Sequence, residues 1–554
     1  MLRGSYCHQT RLLYRPRLAE VVLTSAIFIP ALLASAQIGS VAYPTGSASA
    51  SIPDLVAGRV VNALTGAPLP RALVQINGRA MLTDSEGRFR LEQPGQPVSG
   101  IRLLKPGFSM SPEQMDGFGD AVLDGPDPAS LTLVLWPEAL LAGTVTTSDG
   151  EALPRISVLV RRRIFDDQGQ RFQTAGQKLT DSHGQFRIPL PAGDYLIETQ
   201  FSASGFESGQ TVLPVTFPAA SSSASGDTLH LASGEEQHVE LRPAISRTHV
   251  VTLPLEAGDE GQPPQITARS SNGISFAINA SRSQEPGSVR LTLPTGTYSL
   301  HAMRYSREGV QIAESTVTVP DHDISGPALH LTSPTNIPVE IVVDASVQQT
   351  SLPGSGSRSS AAPGILQFNM ALQPIDVDPT SPFQFGIRPT QQRDSSATLA
   401  APPGTYRLTA GIAGGWYIRS ATSRGTNLLS ENLVISPATS ASPITLIVSN
   451  QTGALQGTVR LAGTPAACWI YLVATSPALP ALIIRRSDST GAFHLTDVPP
   501  GSYRAVAFAY RHSANLQDPA VLGRFSTHVA NVSISAGNTA SLDLDAVPAK
   551  ELAQ

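Results

Sequence analysis

Cysteine is nearly absent from this chain: Cys7 and Cys468 are the only two in 554 residues. Cys7 lies upstream of an N-terminal apolar run, so loss of that segment leaves Cys468 alone and excludes an internal disulfide. Lysine occurs only at Lys105, Lys178 and Lys550, and without this favoured helix-surface residue ordinary amphipathic helices are not expected beyond the N-terminus. Charged residues make up 15% of the chain and the net charge is -5. Without residues 1–36, which hold four Arg and one Glu, the balance falls to about -8, the opposite of a nucleic-acid binder. No His-Glu-x-x-His, Cys-x-x-Cys, Gly-x-Ser-x-Gly or Lys-terminated phosphate loop occurs, so no residue is assigned to catalysis, to a cofactor or to a metal.

Glycine (46) and proline (45) are abundant instead, and they recur in order. Pro-Gly turns stand at Gly95, Gly193, Gly296, Gly404 and Gly501, spaced 98, 103, 108 and 97 residues apart, the size of one small sandwich domain. Four share nearly one wording: LPAGDYLI from Leu190, LPTGTYSL from Leu293, APPGTYRL from Ala401 and VPPGSYRA from Val498. Proline presets φ for the turn and glycine releases the chain into a strand. Tyr195, Tyr298, Tyr406 and Tyr503 follow two residues later, each expected to point inward with a hydroxyl that needs a partner at the sandwich edge.

A second signature, Asp-x-x-Gly-x-Phe-x-aliphatic, appears in TDSEGRFRL from Thr83, TDSHGQFRI from Thr180 and SDSTGAFHL from Ser487. It reads as an Asp-initiated turn followed by an alternating strand with Phe89, Phe186 and Phe493 in the core. EPGSVRLTL from Glu285 and RDSSATLA from Arg393 keep traces of it. A third signature opens the same three modules, VAGRV at Val56, LAGTV at Leu141 and LQGTV at Leu455, ahead of the apolar strands ALVQI, ISVLV and CWIYLV.

This order of signatures resembles the carboxypeptidase regulatory-like domain, a transthyretin-like β-sandwich found in tandem on secreted bacterial proteins. The resemblance is good for modules one, two and five and partial for three and four. It implies a fold and a compartment and not peptidase activity, because the zinc catalytic domain that accompanies this sandwich in metallocarboxypeptidases has no counterpart here. The expected architecture is all-β, a tandem array of about five transthyretin-like (Ig-like) sandwich modules after a signal peptide. The divisions are a signal peptide at 1–36, a flexible leader at 37–52, and modules at 53–136, 137–247, 248–333, 334–450 and 451–548. PAASSSASGD from Pro218 and LPGSGSRSSAAPG from Leu352 read as polar loops within modules. The junctions near 137, 248, 334 and 451 lack long linkers, so neighbours abut in a semi-rigid rod.

The N-terminus carries the targeting signal. Arg3, Arg11, Arg15 and Arg17 precede the apolar run Val21 to Ala36, and Ala34-Ser35-Ala36 fits small-x-small cleavage. Sixteen residues fall short of the roughly twenty that span a bilayer, so export with cleavage is expected and no stable transmembrane segment after it. The destination is periplasmic, outer-membrane-associated or extracellular.

Two readings of function remain open from the sequence, with a third behind them. The first is a noncatalytic structural, adhesion or interaction scaffold of the envelope, with envelope proteins as partners. The second is polysaccharide binding, with Trp416, Tyr417 and Tyr510 as candidate platforms for sugar faces and Trp136 and Trp469 as structural residues. The third is an accessory component of a peptidase or glycan-processing system. Arg161-Arg162-Arg163 admits a polyanion site or a plain solvent-facing strand, and Asp181 with His183 and Asp321-His322-Asp323 read as solvated loops. Asp166-Asp167 with Gly169 reads as a hairpin tip, and Cys468 as a small buried hydrophobe. The oligomeric state is not legible.

Overall fold

The structure, a computed structural model, describes residues 55–92, 101–110, 131–166, 169–201, 209–218, 228–256, 262–306, 309–344, 368–375, 390–391, 397–412, 415–436, 441–476, 482–511, 514–548 and 551. The expected signal peptide and leader, the Gly95 turn and most of the two expected polar loops lie outside them. The protein is all-β. The one α-helix among the described residues is Pro519–Gly523, opened by Asp518, whose carboxylate accepts from the N–H of Ala520 at 2.8 Å. No helix among the described residues is long and apolar enough to cross a membrane.

One strand arrangement recurs along the chain. Leu55–Asn62 pairs antiparallel with Arg88–Glu92 on one side and parallel with Leu131–Pro137 on the other. Ala139–Val145 stands in the same way between Gln185–Leu190 and Glu236–Leu241. Gly453–Leu461 lies between Ala492–Val498 and the parallel Thr539–Ser541 and Leu544–Asp545. The diverged modules repeat it: Ile245–Pro254 lies between Ser288–Pro294 and the parallel Ile324–Ser325, and Thr335–Val343 between Ala397–Ala401 and the parallel Ile444–Ser449. The strand after each Pro-Gly turn belongs to the facing sheet, where Gly193–Thr199 pairs with Ser157–Asp166 and Gly501–Phe508 with Trp469–Ala474. Apolar side chains of the two sheets meet between them. In the first module Val56, Phe89 and Leu91 share one core with Val74, Ile101 and Leu103.

The second and third sequence signatures interlock. Gly58, Gly143 and Gly457 stand directly across the strand pair from Phe89, Phe186 and Phe493, so each ring crosses a residue that has no side chain of its own. A Cβ on Gly143 would lie 2.5 Å from Phe186 Cζ, which no core tolerates without moving. In modules three and four the corresponding pairs are Leu253 with Val289 and Val339 with Ala397. The ring is replaced by aliphatic volume on both strands.

Neighbouring modules dock directly. Ile245–Pro254 runs from module two into module three, pairing with Gln210–Val212 of the former and Ser288–Pro294 of the latter, and the Phe201 and Phe276 rings lie 5.0 Å apart between the two. Met303 and Val310 of module three belong to the core of module four. Gly415 of module four rests against the carboxylate of Asp497 in module five. The first and fifth modules also meet, with Trp136 and Tyr510 edge to face at 5.5 Å over Val61 and Val134. A rod in which each module touches only its sequence neighbours does not provide that contact.

Candidate functional site

Three of the four recurring tyrosines, all but Tyr298, spend their hydroxyls on their own modules. Tyr406 and Tyr503 are 1% exposed, and their hydroxyls donate to the carbonyls of Pro402 and Pro499, each at 2.8 Å. Tyr195 donates likewise to Pro191. The partner expected at the sandwich edge is thus the proline of the turn itself, four residues back. Burial pushes the Tyr298 hydroxyl up to about 12 and raises that of Tyr503 as well, so these groups stay protonated at neutral pH.

The Asp turns are equally closed. Asp84 Oδ1 accepts from the N–H groups of Glu86 and Arg88 at 2.9 and 2.7 Å, and Asp488 Oδ1 from Thr490 and Ala492 at 2.9 Å each. Asp181 Oδ1 accepts from His183 and Gln185 at 2.8 and 2.9 Å, and the backbone bond from Gln185, then that from His183, hold its carboxyl below the usual range. The glycine that ends each turn has φ near +70°, and its carbonyl accepts from the N–H of Val60, Val145 or Val459 on the first strand. Ahead of each Asp, a hydroxyl to which the sequence alone assigns no role joins two further segments. Thr180 Oγ1 donates to Leu153 O at 2.7 Å and accepts from Ile156 N at 2.9 Å, and Thr83 does the same with Leu69 O and Ala72 N. Its signal in the sequence is the recurrence of Thr83, Thr180 and Ser487 at one position before Asp.

The arginine triplet does not alternate on a solvent face. Arg161 is 8% exposed, and its Nε and Nη2 donate to Glu198 Oε1 at 3.0 and 2.8 Å. Arg163 Nη2 donates to Asp194 Oδ2 at 2.7 Å, and His230 Nδ1 lies 2.9 Å from Asp194 Oδ1. Arg162, whose side chain falls on the opposite face, donates from Nη2 to Ala192 O at 3.1 Å. Odd-numbered arginines therefore share the outer face of the sheet with carboxylates of Gly193–Thr199. Burial alone would raise the Asp194 pKa, but the hydrogen bonds from Arg163 and His230 outweigh it and the net shift is downward. A depressed carboxylate stabilises the fold above its unfolded pKa of about 3.9 and loses that contribution as pH falls through the lower folded value. Module two is therefore expected to weaken below about pH 4, and Asp194→Asn to flatten that acid limb in hydrogen-exchange measurements on residues 193–199; an unchanged limb would remove Asp194 from it.

The aromatic candidates occupy different settings. Trp416 is half-buried against the core of module four, and Tyr417 is half-buried at the start of Tyr417–Ser423, across from Ser449. Tyr510 is half-buried with one side against Trp136 of the first module. Its aromatic contact is a joint between modules, apart from Trp416 and Tyr417. Trp469 is flanked by Arg486 and Arg511, whose guanidinium carbons lie 5.9 and 5.5 Å from its ring centre. Cys468 is fully buried, and desolvation pushes its thiol up to about 11, which keeps it unreactive at neutral pH. Asp323 accepts from Val250 N at 2.8 Å and His322 faces Asp321 at 3.2 Å. Among the described residues no three His, Cys, Asp or Glu side chains converge. Asp166 and Gly169 face each other at the end of their hairpin, and the two residues between them lie outside the described ones.

No protein-family model matches the sequence, and no curated protein matches it. Among solved structures, the Bacillus anthracis TIE protein is 10% identical with a TM-score of 0.16, covering 73% of each chain. A streptococcal ancillary pilin is 10% identical with a TM-score of 0.18, covering 55% of this chain and all of that one. The RrgB pilus protein of Streptococcus pneumoniae is 8% identical with a TM-score of 0.15, covering 74% of this chain and 98% of its own. Similarity at this level carries no argument about what the chain does.

Proposed function

We propose that this protein is an exported, noncatalytic scaffold of the bacterial envelope, built from five sandwich modules of the carboxypeptidase regulatory-like kind and divided as the turn spacing indicates. The observation that carries the reading is the direct docking of successive modules, with Met303 and Val310 inside the core of the next module and Trp136 of the first against Tyr510 of the fifth. Such joints fix how far apart and in what orientation surfaces are presented. The polar residues of the repeats support it, because their hydrogen-bonding capacity is used within the modules and not offered to a substrate. Envelope proteins are the partners this architecture suits.

Fractionation of cells producing the full chain tests the compartment: the protein is expected in the envelope or medium with Gln37 as its first residue. Recovery of the uncleaved chain in the cytoplasm would sink the envelope reading. Small-angle scattering of residues 37–554 tests the scaffold: a single conformation is expected, and a freely jointed ensemble would remove the fixed spacing on which the reading depends.

A further inference from the structure

The outer face of the first module's sheet has two halves. One half, Val61, Val134 and Trp136, is met by Tyr510. The other half opens into a groove of about 570 Å³ lined by Ala57, Arg59, Asp84, Arg88, Arg90 and Thr132, which Met81 and Leu82 of the facing sheet also border. Arg59 and Arg88 stand directly opposite each other in the antiparallel pair, and Arg90 follows Arg88 on the same face, opposite Ala57. All three are exposed.

Like charges set directly opposite destabilise a strand pair, and this pair sits in a chain whose net charge is negative. Only Arg88 has a carboxylate partner among the described residues, Glu86 at 2.5 Å, and both of those side chains are more than 60% exposed, so solvent screens the pair. Asp84 makes no ion pair with Arg59 or Arg90, and its Oδ1 accepts from the N–H groups of Glu86 and Arg88. The result is three exposed arginines on one face, with backbone positions about 5 Å apart across the strands and roughly 7 Å apart along one strand. Each presents a planar fork suited to a carboxylate.

We propose that this groove binds an acidic polysaccharide through repeated carboxylates, with Arg59, Arg88 and Arg90 as the contacts and Ala57 beside them on the same face. A row of charges along an open groove fits a linear polymer that carries one charge per unit and enters and leaves at either end. An acidic peptide would add to a sheet edge through its backbone, whereas these arginines stand on the face. The proposal is separate from the scaffold reading, since a chain without this affinity would still space its modules.

The test measures binding of residues 37–554 to polygalacturonate, to neutral dextran and to poly-L-glutamate, by calorimetry at low and at physiological salt. Polygalacturonate is expected to bind and dextran not, with affinity falling as salt screens the charges. Arg59→Gln with Arg90→Gln is expected to weaken binding at least about tenfold, without lowering thermal stability, because both side chains are in solvent and the change relieves the repulsion between Arg59 and Arg88. Arg59→Lys with Arg90→Lys, which keeps the charge and loses the fork, should recover only part of the affinity lost in the glutamine pair. Absence of polygalacturonate binding, or binding untouched by the glutamine pair, would overturn the site. Poly-L-glutamate bound as tightly as polygalacturonate would overturn the assignment to a sugar polymer.

Discussion

Glu198→Ala is expected to destabilise the second module by about 3–5 kcal/mol, the cost of leaving a buried guanidinium without its counter-ion. Arg161 and Glu198 side chains are each 10% exposed, so solvent does not replace the lost carboxylate. Two neighbouring residues, Leu159 and Leu196, are 6% and 5% exposed on the same face, which makes the surroundings apolar and the orphaned charge expensive. The same physics predicts the opposite outcome for removing both charges. Arg161→Met with Glu198→Leu should be near neutral or stabilising, because a well-packed apolar pair avoids the desolvation that the ion pair must offset. Unfolding of a five-module chain is not two-state, so the measurement must be local: hydrogen-exchange protection of residues 157–166 and 193–199. A loss under about 1 kcal/mol for Glu198→Ala would show that the pair is screened and the burial argument wrong.

Tyr503→Ala is expected to cost the fifth module about 3–5 kcal/mol, because it empties the space of a fully enclosed ring. Tyr503→Phe keeps the ring and leaves the Pro499 carbonyl without its donor, at a cost of about 1 kcal/mol. The contrast separates packing from hydrogen bonding at one position. Trp469 lies in the strand next to Tyr503, so with Trp136 and Trp416 replaced by Phe its fluorescence during urea unfolding of the variants reports on this module. Equal losses for the two substitutions would mean that the hydroxyl, not the ring, holds the turn to the strand. Tyr406 has the same hydrogen bond and burial in module four and should behave alike.

How much of this can be read from the residues differs by feature. The turn signatures place Tyr195, Tyr406 and Tyr503 in the core and Phe89, Phe186 and Phe493 beside them, because a glycine with fixed neighbours leaves a mark in the letters. The pairing of Gly58, Gly143 and Gly457 with those phenylalanines is not legible, since it depends on strand register. That pairing also explains why modules three and four look diverged. Leu253 with Val289 and Val339 with Ala397 fill the same space with other letters, and packing selects volume before identity. The arginine triplet misleads for a related reason: a run of charge on a strand reads as solvated until the facing strand is known to supply Glu198 and Asp194. The cover of the fifth module is equally hidden. Leu516, Leu522 and Phe525 lie over Tyr471, Val506 and Phe508, and so short a helical turn has no periodicity to detect. Tyr510 reads as a surface ring because nothing in the sequence links it to Trp136, some 370 residues earlier.

The opening strand of each module runs parallel to its closing strand, hydrogen-bonded side by side in one sheet. A tension applied to the two chain ends of such a module pulls these strands in opposite directions along their length. The bonds between them, Gly58 to Asn62 against Leu131 to Leu135 in the first case, then bear the load together in shear and do not open one after another. Resistance to a pulling force is set by the barrier to that concerted rupture and not by equilibrium stability, so a tether made of these units would hold under drag that would peel a hairpin apart.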